Sequence, residues 1–510
     1  MPLPSNAIMI RDIKRFSQKE YDLLVIGGGI NGCAIANLAS GAGMKVALVD
    51  KGDFASGTST KTTKLIHGGI RYLENFEFDL VYEALHERFI QLKTVPYLVK
   101  PLGFVVPVYK KDARPLWMMR IGVWLYDFLS GAYVIEKHRY LTVRQITGLV
   151  PGIKQEDLVG GVMYYDAQMD DARVCLENAL MADHLGAHLA NYVEVTNFLK
   201  RNGKVTGVRA RDVLTEHTFE IKAKKVVCAI GPWTNHFLRL DNPRARARVR
   251  TTKGVHLVYR GQMAPQAILL SSQQDKRIFF IIPWKGNSLI GTTDTDYFDS
   301  PNQVSVKEED VDYLLREAQR IFPDKPLSKD NIITTFAGLR PLVHDEGAPA
   351  KVSRKHVIEE TYSGLIFVMG GKYTTYRKIA EDCLQFLRRN RIPLALSQFH
   401  LYGSGAINAP SQEIAQHCSL DEATVDILKN TYGIRYQQIL KLVEKNPQWK
   451  NCLCSCSPAI EAQVVYAIES EMAQTKEDII WRRLSIGYND CPTKQCRERI
   501  QQILAEFKST

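Results

Sequence analysis

The 510-residue sequence has no apolar run long enough to cross a membrane. Its most apolar stretch, residues 115–129, is interrupted by Arg120 and Asp127, whereas a spanning helix needs about 20 mostly apolar residues. We expect this stretch to form a buried helix. The alternative is an amphipathic helix at a membrane surface, anchored by Trp117 and Trp124. The beginning of the chain also lacks the apolar core of a secretory signal, so we expect no such signal.

Cysteine is scarce, with 10 residues in the chain. They are scattered, which suits reduced thiols in the cytosol better than a disulfide framework. Cys452, Cys454 and Cys456 alternate in a tight cluster, and Cys491 and Cys496 lie downstream. Because zinc sites usually pair cysteines about two to four residues apart, we expect plain thiols in a loop and no metal site.

Acidic residues are outnumbered, since 55 Asp and Glu face 66 Lys and Arg, which gives a formal net charge of +11. The composition is 45% hydrophobic and 24% charged, which excludes a disordered, collagen-like or multi-span membrane protein. The length predicts two or three domains. A basic balance is compatible with nucleic acid, an anionic membrane or a small anionic substrate. No recognition motif for nucleic acid accompanies the charge, so we expect no such partner.

A glycine-rich turn near the N terminus is the strongest functional signal. The apolar run 21–26 leads into Gly27-Gly28-Gly29-Ile30-Asn31-Gly32, and residues 33–40 have helical composition. A second apolar run, 45–49, ends at Asp50, close to the expected spacing of ~20 residues. Gly27 permits the turn, Gly29 lets the backbone approach a pyrophosphate, and Gly32 lets the helix pack on the strand. The sequence therefore predicts a dinucleotide at the helix N terminus, with Asp50 on a ribose.

Two later turns favour FAD over NAD as that dinucleotide. Residues 224–230 have strand character and run into Gly231-Pro232-Trp233. Residues 364–369 also have strand character and run into the segment 370–375. A helical stretch follows that segment. The second turn offers another helix N terminus, whose positive end favours a reduced flavin.

Further motifs occur in a fixed order along most of the chain. The most diagnostic is LIHGGIRYLE at 65–74; the others are 27–32, 164–166, 170–173, 231–233, 252–256, 279–284, 291–294, 338–342 and 370–377. In this order they resemble the aerobic, FAD-dependent, quinone-linked glycerol-3-phosphate dehydrogenases, over residues from about 20 to about 490.

This resemblance implies an α/β fold of the amino-acid and amine oxidase type. We expect an interrupted Rossmann-type FAD-binding domain, a mixed-sheet substrate domain and a C-terminal helical domain. The expected segments are 18–90, 150–245 and 336–395 for FAD, 91–149 and 246–335 for the substrate cap, and 400–510 for the helical domain.

The resemblance also implies a reaction, the oxidation of sn-glycerol 3-phosphate to dihydroxyacetone phosphate. Hydride passes to FAD, and electrons pass to a membrane quinone of the respiratory chain. Two alternatives stay open: an oxidase that reduces O2 to H2O2, and a non-catalytic flavin-binding module at a membrane. The resemblance further implies a homodimer, peripheral on an anionic membrane surface. No calcium-binding loop follows the helical tail, which favours the cytoplasmic face of a bacterial plasma membrane.

The motifs assign roles to individual residues. Arg71, Arg340 and Lys372 are expected to hold the substrate phosphate beside Tyr72, because guanidinium and ammonium groups bind phosphate well. Arg340 is also a candidate for polarising the developing carbonyl. Histidine suits a base near neutral pH, and we favour His256, with His67 near flavin or substrate. The order of these two roles stays open. The residues expected at FAD are Gly27, Gly29, Ile30, Asn31, Gly32, Asp50, Lys51, Ser59, Thr63, Lys64, Leu65, His67, Gly231, Trp233, Gly338, Gly371, Lys372, Tyr373 and Thr374.

Four arginines alternate from Arg244 to Arg250. In a strand all four side chains would share one face. That face is either a contact with anionic lipid, at ~1 kcal/mol per cation, or a solvated surface.

Overall fold

The strand predicted before the glycine-rich turn lies inside a parallel sheet of the computed structural model. The structure describes residues 9–343, 355–388, 401–489, 491 and 493–508. Within them, the first sheet has the strand order β17-β18-β10-β1-β2-β7, with the hairpin β8–β9 continuing from β10. Its strands are β1 (Tyr21–Ile26), β2 (Val46–Val49), β7 (His188–Ala190), β8 (Val193–Arg201), β9 (Lys204–Asp212), β10 (Thr218–Cys228), β17 (His356–Glu360) and β18 (Leu365–Gly370). Strands β18, β10, β1, β2 and β7 run parallel. The largely apolar sequences of β1, β2 and β18 are what a sheet covered on both faces requires.

The second sheet is mixed and mostly antiparallel, in the order β15-β11-β14-β13-β12-β4-β6-β3, with β16 on β11 and β5 on β6. Its strands are β3 (Leu65–Ile66), β4 (Val99–Tyr109), β5 (Arg139–Leu141), β6 (Leu158–Met169), β11 (Val249–Tyr259), β12 (Ala267–Ser271), β13 (Ile278–Trp284), β14 (Asn287–Gly291), β15 (Thr295–Tyr297) and β16 (Ile332–Val343). A separate hairpin is formed by β19 (Cys452–Cys454) and β20 (Ser457–Ile460).

Helices cover the first sheet and build the C-terminal part. They are α1 (Ile30–Gly41), α2 (Phe78–Thr94), α3 (Leu116–Ser130), α4 (Val143–Leu149), α5 (Asp171–His184), α6 (Thr234–Asp241), α7 (Glu308–Ile321), α8 (Tyr376–Arg388), α9 (Ser411–Cys418), α10 (Glu422–Tyr432), α11 (Tyr436–Lys445), α12 (Glu461–Ser470) and α13 (Lys494–Lys508). Helices α1, α5 and α8 share one hydrophobic core with β1 and β2. The C-terminal part is helical apart from its short hairpin.

Strand pairing crosses the segment limits predicted from the sequence. Strand β6 falls in the predicted FAD segment 150–245, yet it pairs along its length with β4 of the predicted cap. Strand β16 begins four residues before the predicted limit at 336 and pairs with β11 throughout. Long-range hydrogen-bonding partners decide which sheet a strand joins, so local composition does not locate these crossings. The domain limits themselves stay a prediction.

The expectation that residues 115–129 form a buried helix is wrong. Helix α3 buries only one face, with Val123 and Tyr126. Trp117, Ile121, Trp124 and Phe128 on its other face are each more than half exposed. The stretch is therefore an amphipathic surface helix, the alternative that the sequence left open. In the part of the chain that the structure describes, no helix is long and apolar enough to span a membrane.

The arginine-rich segment does not form the expected single strand face. Strand β11 begins at Val249, so Arg244, Arg246 and Arg248 precede it in an irregular loop. Arg248 pairs with Glu359, and Arg250 pairs with Asp296 at 2.6 Å. Two of the four charges are thus matched by acids, which weakens the case for a lipid contact here.

Candidate active site

The glycine-rich turn joins β1 to α1 and has the geometry that the motif predicts. Gly27 has φ of 107°, a conformation that favours glycine. A Cβ on Gly32 would lie 1.8 Å from the carbonyl oxygen of Gly27, so only glycine lets the helix begin this close to the strand. Helix α1 begins at Ile30 with Gly29 as its N-cap and has no capping side chain of its own. Its N terminus is available to an anion.

Asp50 and Ser59 close this turn from two sides. The Asp50 carboxylate accepts hydrogen bonds from the backbone N–H groups of Gly28 (2.6 Å) and Gly52 (2.8 Å). The Ser59 hydroxyl accepts from the N–H of Ile30 at 2.9 Å. Burial raises the pKa of Asp50. Each carboxylate oxygen keeps a second lone pair, which suits the expected bond from a ribose hydroxyl.

Lys51 and Trp233 meet at one edge of this region. The Lys51 ammonium lies 4.2 Å from the centre of the Trp233 ring, and both side chains donate to the Asn302 side chain. Gly231, which begins the turn after β10, has φ of 52°. Two predicted cofactor residues far apart in sequence are thus in contact, and Asn302 joins them without any signal in the sequence.

A cavity of about 160 Å³ lies beside the segment 63–72, against the second sheet. A cavity of this size suits a small substrate. The polar lining includes Thr63, His67, Arg71, Tyr72, Asp166, Arg277, Thr292, Asp294 and Arg340; the apolar lining includes Leu65, Phe104, Leu269, Ile278 and Phe280. The sequence motifs at 65–74, 291–294 and 338–342 therefore converge on one site.

Two of the three predicted phosphate-binding cations line this cavity. Arg340 on β16 donates to the Thr292 hydroxyl (2.8 Å) and to the Asp294 carboxylate (3.0 Å). Arg71 is half-buried, and no carboxylate of the described residues lies within ion-pair distance of it. Lys372 stands outside the lining, with its ammonium 3.7 Å from the centre of the Tyr72 ring.

The two candidate histidines have different positions. His67 lines the cavity, and its backbone N–H and carbonyl both bond to the Thr374 hydroxyl. His256 on β11 is 1% exposed and stacks on Phe336; its Nε2 lies 3.0 Å from the Thr63 hydroxyl. Burial, with the charges of Arg340 and Lys64, lowers the pKa of His256 well below its usual value. His256 is therefore neutral at pH 7 and contacts the cavity through Thr63.

Lys64 does not direct its side chain toward a cofactor. Its ammonium is buried, 2.6 Å from the Asp171 carboxylate and 2.9 Å from the carbonyl of Thr60. Burial alone would lower the pKa of Lys64, but Asp171 outweighs it and raises that pKa. Only the backbone of Lys64 is left for the predicted cofactor contact. Tyr373, also predicted at FAD, donates its hydroxyl to the carbonyl of the same Asp171.

The remaining predicted glycines lie where chain segments touch. A Cβ on Gly338 would lie 2.5 Å from the Cβ of Lys61, in the loop that leads to Thr63. A Cβ on Gly371 would lie 2.5 Å from the Ile379 side chain of α8. At both positions the missing side chain lets two chain segments pack closely. Gly338 does so near the cavity, and Gly371 does so at the second helix N terminus. The predicted residue Asn31 lies in the first turn of α1.

Comparison with known proteins agrees with this geometry. The family model "FAD dependent oxidoreductase" matches residues 22–377, and the model "C-terminal domain of alpha-glycerophosphate oxidase" matches residues 397–509. A glycerol-3-phosphate dehydrogenase of Synechocystis sp. is 36% identical, over 94% of this chain and 91% of that one. The aerobic glycerol-3-phosphate dehydrogenase of Staphylococcus aureus is 35% identical, over 97% and 92%. The chain belongs to the FAD-dependent glycerol-3-phosphate dehydrogenase family.

Solved structures give the same assignment. The glycerol-3-phosphate dehydrogenase from Bacillus halodurans, solved in complex with FAD, is 31% identical with a TM-score of 0.81, over 98% of this chain and 93% of that one. The L-alpha-glycerophosphate oxidase from Mycoplasma pneumoniae has a TM-score of 0.58 at 20% identity and shares the fold. The predicted α/β fold class and FAD as cofactor are confirmed. The residue roles stay a prediction.

Sequence reasoning missed several residues of this dehydrogenase site. Arg277 follows the tip of the β12–β13 hairpin and donates to the carbonyl of Asp294. Phe280 and Phe104 form an apolar wall. Asp166 is buried and forms an ion pair with Arg88 at 2.6 Å. Its carboxylate also accepts a hydrogen bond from the N–H of Gly68, next to His67. Asp166 lies in the family motif 164–166 and Phe280 in the motif 279–284, whereas Arg277 and Phe104 had no signal in the sequence.

Proposed function

We propose that this protein oxidises sn-glycerol 3-phosphate to dihydroxyacetone phosphate and delivers the electrons to a membrane quinone. The observation that carries the substrate half is the lining of the cavity. Arg71, Arg340 and Arg277 line one small cavity together with His67. At an effective dielectric constant of ~20, one close cation–anion contact is worth ~4 kcal/mol before desolvation. A phosphate group gains charge-assisted hydrogen bonds from these cations, whereas the hydroxyls of uncharged glycerol make only weaker ones.

FAD, when bound, supplies the acceptor for the hydride that leaves C2 of the substrate. The hydroxyl on C2 loses its proton at the same time, so a base must lie beside it. We assign this role to His67, because it lines the cavity and its backbone is fixed by Thr374. His256 is buried and its lowered pKa makes it a poor proton acceptor. It holds the Thr63 hydroxyl in place, which reverses the order of roles favoured from the sequence.

The test is anaerobic reduction of the purified yellow protein. Addition of sn-glycerol 3-phosphate bleaches the flavin absorbance in our proposal, and glycerol at the same concentration does not. Arg71→Ala raises the substrate concentration needed for bleaching, whereas Arg201→Ala, which alters an exposed arginine on β8, leaves it unchanged. Absence of bleaching in the wild-type protein contradicts the catalytic proposal. Replacement of His67 by Asn slows bleaching with FAD retained; an unchanged rate contradicts its role as base.

The quinone half of the proposal is supported by the exposed face of α3. Trp117, Ile121, Trp124 and Phe128 form a patch of large apolar side chains on this helix, in which Trp124 and Phe128 stack at 5.7 Å. The cations Lys110, Lys111, Arg120, Lys137 and Arg139 are exposed in the same part of the chain. Aromatic side chains flanked by cations suit the interface of an anionic membrane. We therefore infer a peripheral position on the cytoplasmic face of a bacterial plasma membrane, where quinone is available.

Vesicle binding and acceptor assays test this part separately. The protein floats with vesicles that contain anionic lipid, and the double variant Trp117→Ser/Trp124→Ser does not. Phe298→Ser is the matched control, because Phe298 is 86% exposed outside this patch. Turnover with a quinone analogue, compared with oxygen, distinguishes a dehydrogenase from an oxidase. Faster turnover with oxygen, or vesicle binding that survives the double substitution, contradicts this half while the substrate half stands.

A further inference from the structure

Four cysteines from two distant parts of the chain meet in the C-terminal region. Cys454 ends β19, and Cys456 lies in the tight turn before β20. Cys491 lies just before α13, and Cys496 lies in the first turn of that helix. A hairpin turn and a helix N terminus thus present two thiols each toward the same place. The predicted loop is instead a strand and a turn, since Cys452–Cys454 form β19.

The sulfur atoms of Cys454, Cys491 and Cys496 form one cluster, and that of Cys456 lies beside Cys454 at its edge. Cys454 Sγ lies 3.1 Å from Cys456 Sγ and 2.9 Å from Cys491 Sγ. The sulfurs of Cys454, Cys491 and Cys496 all lie within 4.8 Å of one another. The two sulfurs of a disulfide lie about 2.05 Å apart, well below these distances. All four cysteines are therefore free thiols. Four thiolates on a tetrahedral zinc, with Zn–S bonds of about 2.3 Å, are separated by about 3.8 Å. This value lies between the two short contacts, of 2.9 and 3.1 Å, and the 4.8 Å that bounds the group of three.

Packing alone does not require this convergence. Other buried cysteines, such as Cys228 and Cys383, lie singly within the cores of the two faces of the first sheet. Cys454, Cys491 and Cys496 are also buried, and they lie in one apolar cluster with Leu453 and Ile500. A thiol is only a weak hydrogen-bond donor. Four of them in contact gain little from one another, whereas a thiophilic cation binds all four strongly.

We propose that Cys454, Cys456, Cys491 and Cys496 bind one Zn²⁺ ion in a structural site. Each thiol releases its proton to solvent and forms one Zn–S bond, so no oxidant or reductant is required. All four coordination positions are filled by protein, which leaves none for a substrate or water. The ion joins the β19–β20 hairpin to α13 and thereby fixes the C-terminal helix of the described chain. This site is independent of the reaction proposed above.

Metal analysis of the purified protein tests the site. We expect inductively coupled plasma mass spectrometry to find one zinc per chain in wild-type protein that has been washed with a mild chelator. Cys454→Ser and Cys491→Ser lose it, and Cys452→Ser keeps it, because Cys452 is exposed on the same strand outside the cluster. Zinc well below one per chain, iron in its place, or an unchanged content in Cys454→Ser overturns the proposal.

A second measurement needs no variant and therefore does not depend on folding of the mutants. A strong chelator releases zinc from the wild-type protein, detected with a zinc-sensitive dye, and exposes additional reactive thiols. It also lowers the thermal unfolding midpoint. Under denaturing conditions with chelator, all 10 cysteines react with a thiol reagent. A count of eight indicates a disulfide in the cluster and overturns the zinc site.

Discussion

Replacement of Glu471 by Gln tests the charge cluster that joins the C-terminal part to the FAD-binding core. The Glu471 carboxylate accepts hydrogen bonds from both terminal nitrogens of Arg173, each at 2.8 Å, and from one terminal nitrogen of Arg435 at 3.0 Å. Arg173 belongs to α5, whose core includes α1, while Arg435 precedes α11. Glu177 on α5 also pairs with Arg435 and accepts from the N–H of Gly403. These four charged side chains are all fully buried.

The expected loss of stability follows from the pKa of Glu471. Burial alone would raise this pKa, but Arg173 and Arg435 outweigh it and lower the pKa from 4.5 to about 2. At ~1.4 kcal/mol per pH unit, the ionised form gains about 3 kcal/mol in the folded state. The amide of Gln turns an N–H donor toward the guanidinium donors. Breaking a buried pair in this way costs about 3–5 kcal/mol, in agreement with the first figure.

Thermal unfolding followed by circular dichroism measures this loss. An unfolding entropy of about 2.1 cal/mol/K per residue over 510 residues gives a shift of roughly 1 °C per kcal/mol, so the midpoint falls by about 3–5 °C. Glu220→Gln is the control. The Glu220 side chain is 46% exposed, so its ion pair with Arg209 contributes under about 1 kcal/mol to the free energy of unfolding. If Glu471→Gln lowers the midpoint no more than Glu220→Gln does, the buried charges are not what holds the two parts together.

Three further predictions concern the cofactor turn, the substrate and the pH. Gly32→Ala places a Cβ 1.8 Å from the Gly27 oxygen and yields colourless protein without FAD, whereas Gly41→Ala, whose Cβ meets nothing closer than 3.6 Å, retains the flavin spectrum. Arg340→Ala retains FAD and lowers kcat/KM about 100-fold, the value of one lost charge-assisted contact of ~3 kcal/mol; an unchanged kcat/KM removes Arg340 from the site. Burial lowers the pKa of His188 from 6.5 to about 4, so the unfolded chain takes up this proton first as the pH falls. Stability therefore drops by about 3 kcal/mol between pH 6.5 and 4, and His188→Gln unfolds with a shallower dependence on pH in that window; equal slopes contradict this reasoning.

The cofactor turn was predictable because its requirements are local. A strand, three spaced glycines and a helix occupy about 20 consecutive residues. A Cβ on Gly27 or Gly32 would clash with a backbone oxygen, and a Cβ on Gly29 would crowd the Ser59 hydroxyl. The predicted strand 21–26 and the helix after it are observed with small shifts, since α1 begins at Ile30. The resemblance then added Arg71, His67 and Arg340, which meet in one cavity although they come from separate motifs.

The parts that sequence reasoning missed depend on contacts between distant residues. Arg277 is an ordinary hairpin arginine until the fold brings Asp294 beside it. Cys454 and Cys491 have no suggestive spacing, because their proximity depends on how α13 packs on the β19–β20 hairpin. Apolar content alone does not separate a buried helix from a surface helix. For α3 it is the two distinct faces that decide, and only the fold shows which face is covered.

Helix α3 connects the proposed membrane surface to the proposed base through its buried face. Tyr126 donates its hydroxyl to Asp166 at 2.7 Å, and Asp166 accepts from the N–H of Gly68, directly after His67. The same carboxylate is held by Arg88. A buried network whose members are bonded in this way fixes geometry more tightly than apolar packing alone. The side of α3 that would lie on lipid and the turn that carries His67 are therefore joined by one hydrogen-bonded network, so attachment to the membrane as proposed would set the orientation of the cavity.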